Sequence, residues 1–218
     1  MLRSRLILSV VFLSISTLGH PGRLEPTLGG TIQEVKIYQR TLKLMGSRFD
    51  LTVVADDREK ADGYLDLAID EITRIERLIS SWDPNSQTSV INENAGVHPV
   101  KVDPELFQLI ERALKVSKLT QGAFDISYAS MDRIWKFDGS VTEMPPKAKI
   151  KESVSKVGYQ NIVLDRDEQT VFLKNEGMKI GFGAIGKGYA ADKAKQLLIK
   201  HGVKAGIINA SGDLNAWG

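Results

Sequence analysis

The chain has 218 residues, enough for one large domain or two small ones. Its 42% hydrophobic and 26% charged residues are those of a soluble globular protein and exclude disordered and fibrous classes, while zero cysteines exclude disulfides, thiolate metal sites, a cysteine nucleophile and a lipid-modified cysteine. Arg3, Arg5 and Arg23 lie among the first 23 residues with no acid; the remaining bases and acids nearly balance, so the net charge of +2 gives a nucleic-acid partner no concentrated positive face.

The first segment reads as an address. Two arginines precede an apolar run from Leu6 to Leu18, followed by small residues up to Gly19. That order predicts a secretory signal over residues 1–19, or an uncleaved anchor made of the same segment. The folded part is then expected outside the cytoplasmic membrane. Residues 20–31, with Pro21 and Gly22, read as a linker, and one domain is expected over 32–218.

Two strands are predicted over Ile32–Leu44 and Phe49–Ala55. A long helix follows over 57–81, with apolar residues from Tyr64 to Ile79 at three- and four-residue spacing and a solvated face that includes Glu71 and Arg74. Ser80–Gly96 reads as loop with a single helical turn. Asp103-Pro104 opens a second helix that runs to about Thr120 and stops at Gly122. Gly122–Ser127 (GAFDIS) reads as extended, Tyr128–Phe137 as helix, Gly139–Pro146 as loop and Lys147–Val157 as a short helix. Asn161–Asp165, Thr170–Leu173 and Met178–Gly181 predict a β-meander. A glycine loop then passes into a helix ending near Gly202, Lys204–Asn209 is a strand, and SGDLNAWG follows. Strands and helices are mixed without strict alternation, so the expected class is α+β, an antiparallel or mixed sheet packed with helices.

The segment GFGAIGKG carries the most chemistry. Gly181, Gly183 and Gly186 satisfy Gly-x-Gly-x-x-Gly, and Gly186-Lys187 satisfies most of Gly-x-x-x-x-Gly-Lys-Ser/Thr. Glycines allow a tight turn and close approach of a ligand. A helix start favours an anion, and Lys187 adds a point charge for a phosphate. Neither fingerprint is complete. Gly188 stands where a phosphate loop needs a hydroxyl, and Asp213 lies too far on for a dinucleotide-fold acid. A phosphate-bearing ligand and a loop demanded only by close packing both remain open.

Asp125 could take a sugar hydroxyl or cap the helix that follows, and Trp82 could stack on a ring or sit in the core. Met45-Gly46 lies between two strands. His98 and His201 are isolated and read as surface residues. Ser211-Gly212-Asp213 is a turn expected near the same pocket.

In order along the chain, Met45-Gly46, SSWDPNS (80–86), GAFD (122–125), GAIGKGYAAD (183–192) and SGD (211–213) make the sequence resemble the bacterial FAD:protein FMN transferases, formerly labelled thiamine-biosynthesis lipoproteins. The resemblance covers about residue 32 to the end. It implies a periplasmic or membrane-tethered α+β protein that binds FAD and Mg2+. Such a protein releases AMP and joins FMN to a threonine or serine of an acceptor flavoprotein subunit in a membrane electron-transport complex. By position, Met45, Trp82, Ala123, Phe124, Asp125 and Lys187 would contact FAD, and the carbonyl of Ala184 would ligate magnesium. No residue is assigned as catalytic base. FAD pyrophosphatase activity and a non-catalytic flavin-binding remnant are the alternatives.

Three features depart from the family pattern. Gly181 stands where many members have aspartate. No lipid-attachment cysteine is present, so membrane contact is expected only through an uncleaved signal, if at all. The family segment His-x-x-Asp-Pro-x-Thr-Gly, with its magnesium-binding side chains, is absent. The chain is therefore expected to lack the C-terminal part of the fold, to bind magnesium poorly, to transfer little FMN and to leave its last strand with an unpaired edge.

Overall fold

A computed structural model describes residues 36–132, 134 and 143–218. The expected signal and linker lie outside the described residues, as do Arg133 and 135–142. The described residues belong to one compact unit.

Strands β1 (Lys36–Leu44) and β2 (Ser47–Ala55) form a hairpin in register from Lys36 opposite Ala55 to Leu44 opposite Ser47. The connection is two residues, Met45 (φ 48°) and Gly46 (φ 70°). Two consecutive left-handed residues are what a tight hairpin with twisted strands requires. Along β2 every second residue is buried, Phe49, Leu51, Val53 and Ala55 facing the core. The other edge of β2 pairs with β6 (Gly206–Ala210), which pairs in turn with β7 (Asp213–Trp217), giving an antiparallel sheet of order β1-β2-β6-β7. Gly206 has no space for a side chain, since a Cβ would stand 2.6 Å from both the Thr52 carbonyl oxygen and the Trp217 ring.

Helix α1 (Arg58–Ile79) is capped by Asp57, whose carboxylate accepts from the Lys60 amide. It buries Leu65, Ile72, Ile75 and Ile79, each contributing about 1.5–3 kcal/mol of apolar transfer. Helix α5 (Gly186–Lys200) packs against α1 and buries Ala190, Ala191 and Ala194, small residues that let the two helices approach closely. Between them in sequence, α2 (Gln87–Glu93) makes two turns rather than one, started by Ser86 Oγ accepting from the Ser89 amide. Helix α3 (Pro104–Leu119) begins at its Asp103 cap as expected. It ends in a Schellman closure, with Gly122 N–H donating to the Ser117 carbonyl and Gln121 N–H to that of Lys118.

Five local expectations are corrected. GAFDIS is not extended: Gln121 (φ 53°) and Gly122 (φ 87°) complete the turn after α3, and Asp125 then starts a short 3₁₀ helix, Ile126–Ser130. That helix ends at Met131, whose extended backbone stops the helix expected from Tyr128 onward. The short helix α4 covers only Lys147–Ser153. Met178–Gly181 does not join the meander. The second sheet is β3-β5-β4, with β3 (Val100–Lys101) and β4 (Ile162–Asp165) flanking β5 (Thr170–Leu173). The Met178–Gly181 backbone is satisfied elsewhere. The Asn92 side chain bonds both the amide and the carbonyl of Ile180, the Ser130 hydroxyl bonds both those of Lys179, and Gly181 N–H donates to the Ile126 carbonyl. Finally, β6 is not an edge, because β7 covers the side that β2 leaves open; β7 is the outer strand of the described sheet. No helix among the described residues is long and apolar enough to cross a membrane.

Candidate functional site

The site is built around the start of α5. Ile185 and Gly186 donate to the Phe182 carbonyl, turning the chain sharply into the helix, and no side chain caps its N-terminus. The glycines divide the two possibilities left by the sequence. A Cβ on Gly186 would fall 2.7 Å from Ile79 Cδ1, so this glycine serves the α1–α5 contact. Gly183 also lies against a neighbour, its would-be Cβ 2.4 Å from the Tyr128 hydroxyl, yet it is exposed on its other side.

Gly183, Gly186 and Lys187 border a cavity of about 490 Å³. The hairpin turn contributes Met45 to its wall, the end of α1 contributes Glu76 and Ile79, and the following loop contributes Trp82. Three sequence-predicted residues from distant segments, Met45, Trp82 and Lys187, thus meet in one space. Trp82 is 77% exposed, which removes the core alternative. Lys187 is half-buried and has no ion pair among the described residues, whereas Lys193 further along α5 is bound to Glu105 at 3.0 Å.

A second cavity, of about 420 Å³, opens on the other side of the same helix turn. Ile185, just before α5, and Gly188 and Tyr189 of α5 line it, with Arg112 of α3, Phe124 and Asn215 of β7. Phe124 therefore stands apart from Met45 and Trp82, beside the second space. Ala123 is exposed in the turn before it, and Ala184 is exposed between Gly183 and α5. Asp125 is occupied internally: Oδ1 accepts from the amide and hydroxyl of Ser127, and Oδ2 from the Tyr159 amide at 2.8 Å. Its position makes it a cap and a loop clamp. Asp213 lies beside Gly188, Ser211 Oγ donates to the Arg48 carbonyl, and His98 and His201 are exposed.

Sequence reasoning missed the polar cluster that braces these cavities. Glu105 of α3 is bonded by Arg74 of α1 (2.7 Å), Lys193 (3.0 Å) and the Tyr189 hydroxyl (2.8 Å), both of α5. Burial pushes the Glu105 carboxyl up, but these three donors outweigh it and hold it at about 2. Burial, then the neighbouring Glu105, raises the Tyr189 hydroxyl, and Glu71 followed by Glu105 raises Arg74. Arg74 is thus more than part of a solvated face. Glu76 was also missed, since on a charged helix nothing in the pattern singles it out.

Antiparallel sheets packed against helices, with a glycine loop opening a cavity at a helix start, define an α+β domain with a ligand-sized cleft beside its last helix. The profile of the ApbE family matches residues 45–218, and the chain belongs to that family. An FAD:protein FMN transferase of Klebsiella pneumoniae is 31% identical over 84% of this chain and 57% of its own length. One from Treponema pallidum is 30% identical over 66% of this chain and 41% of its own. The crystal structure of the ApbE protein of Thermotoga maritima superposes with a TM-score of 0.74 at 27% identity, covering 83% of this chain and 59% of that one. The Vibrio cholerae flavin transferase ApbE shares the fold, with a TM-score of 0.72 at 16% identity over 85% of this chain and 60% of that one. The chain spans less than three fifths of the length of these curated relatives.

Proposed function

We propose that the chain serves FAD:protein FMN transfer and that its own residues form a cradle for FAD. The observation carrying this reading is the cavity shared by Gly183, Lys187, Met45 and Trp82 at an uncapped helix start. FAD has two ring systems joined by a pyrophosphate. In this reading the first turn of α5 and Lys187 hold the pyrophosphate, Met45 and Trp82 bound one ring, and Phe124 meets the other across the turn. A hydroxyl of a threonine or serine on an acceptor flavoprotein attacks the phosphorus of the FMN half. The bond to the AMP oxygen breaks, AMP departs with the electron pair, and the hydroxyl proton is released. Lys187 and the α5 dipole stabilise the charge that develops on the phosphate oxygens. The reading places the protein outside the cytoplasmic membrane, next to electron-transport acceptors.

Magnesium is tested by the donor set. The described residues contain no group of three or more His, Cys, Asp or Glu side chains able to hold a metal ion. The Ala184 carbonyl alone supplies one of the roughly six oxygens magnesium takes. These residues do not form a magnesium site, and no step above depends on one.

The test is incubation of the chain with FAD and a threonine-bearing acceptor protein, with and without added magnesium. Flavin joined covalently to the acceptor, with AMP released, supports transfer. Free FMN with AMP shows hydrolysis, and binding without AMP shows a flavin-binding protein; either result overturns the transferase reading.

A further inference from the structure

Among the described residues Glu76 is the one carboxylate on the wall of the first cavity, and the reading above gives it no task. Other half-buried glutamates of α1 and α3 answer cations: Glu71 pairs with Arg74, Glu105 with Arg74 and Lys193, Glu111 with Lys115 and Arg166. Glu76 is half-buried too, yet it has no ion pair among the described residues. Its Oε2 accepts from the Met45 amide at 3.1 Å. Met45 occupies the left-handed region that non-glycine residues enter at a cost, and its Cε lies 3.6 Å from where a Gly186 Cβ would be. One Glu76 oxygen therefore holds a strained turn at the cavity wall. The other accepts no hydrogen bond among the described residues, and an ionised carboxylate can only accept. With Lys187 on the same cavity, the space offers a cation and a helix start to an anionic group and an acceptor to an N–H donor.

We propose that Glu76 is a specificity-determining residue: Oε2 fixes the Met45 turn, and Oε1 accepts a hydrogen bond from an N–H group on or attached to a ring of the nucleotide. The proposal rests on the FAD reading. FAD carries two such donors, the flavin N3–H imide and the adenine 6-amino group, and the carboxylate discriminates against a ring that presents only carbonyls.

The test is isothermal titration of the full chain, wild type and Glu76→Gln, with FAD, with FAD methylated at flavin N3, and with FAD bearing unsubstituted purine in place of adenine. Glutamine keeps an oxygen for the Met45 amide but turns an NH2 group toward the ligand. FAD affinity is expected to fall about 10- to 100-fold in Glu76→Gln. The analogue lacking the donor that is read binds both proteins alike, and that analogue identifies the ring. Glu76→Asp, which keeps the charge on a shorter stem, restores part of the loss and the same analogue pattern. Equal FAD binding by wild type and Glu76→Gln overturns the assignment while leaving the cradle intact. An equal loss for FAD and both analogues overturns it too, since that is what a purely structural role produces. If wild type binds none of the three, the cradle itself falls and the assignment with it.

Discussion

Two lysines on α5, less than two turns apart, have opposite fates. Lys193 is locked to Glu105 inside a cluster that ties α1, α3 and α5 together. Lys187 borders the first cavity with no ion pair among the described residues. The same side chain on the same helix therefore braces the fold at one point and is left available to a ligand at the other. A charge whose partner lies within the chain works for stability; a half-buried charge without one is where the proposed ligand contact is to be tested.

Asp125 stands on the bracing side of that division, and its removal should have the largest effect. Asp125→Ala leaves three donors unanswered. A loss of about 3 kcal/mol in unfolding free energy is expected by urea denaturation. Affinity for FAD, measured on the protein that remains folded, should change less than twofold. A selective loss of affinity with unchanged stability would move Asp125 to the ligand side.

Lys187→Ala is the mirror experiment. Losing a charge-assisted contact to a phosphate should cost about 2 kcal/mol of binding, close to 30-fold in Kd, with the urea midpoint unchanged. Equal affinity in wild type and variant would remove Lys187 from the cradle.

The bracing cluster also predicts an acid response. Glu105 is held at about 2 in the folded chain, below its ordinary value of 4.5. Its stabilisation is therefore complete above about pH 4.5 and is lost as pH falls through 2. Its side chain is 21% exposed, so about 2 kcal/mol is expected after allowance for solvent screening. In Glu105→Gln this loss should be absent from a stability-against-pH curve, and the two proteins should converge near pH 2. Parallel curves would show that Glu105 contributes no such pH dependence.

The smallest expected effect is at the end of α3. Gln121 adopts φ 53° at a position that glycine usually fills. Gln121→Gly should raise stability by about 0.5 kcal/mol by relieving that conformation, offset in part by the freer unfolded chain. The change should appear in thermal unfolding and leave FAD binding untouched.

Much of this architecture is readable from local pattern. Helix α1 carries its apolar stripe and an aspartate cap, α3 begins at Asp103-Pro104, and β2 alternates along its length. What escapes reading depends on partners far away in sequence. Ile180 has the β-branched character of a strand residue, but Asn92, 88 positions earlier, takes its amide and carbonyl, so no ladder forms. Strand β7 is hidden by Asp213, Asn215 and Ala216, three residues depleted in strands; pairing with β6 overrides them. At the site, Met45, Trp82 and Lys187 were found by motif and do converge. Phe124 was found but stands beside a different space, because α5 divides the two cavities. Glu76 and Glu105 carried no local mark, since their roles come from what folding brings opposite them.

Gly186 has a further consequence. Because it admits the Ile79 methyl against α5, one wall of the first cavity is also the seam where two core helices meet. A substitution that slightly loosens this seam would misalign the cavity before it unfolded the domain. If the cavity is the proposed FAD cradle, such a substitution would surface as weakened FAD affinity in a protein that still purifies and melts normally.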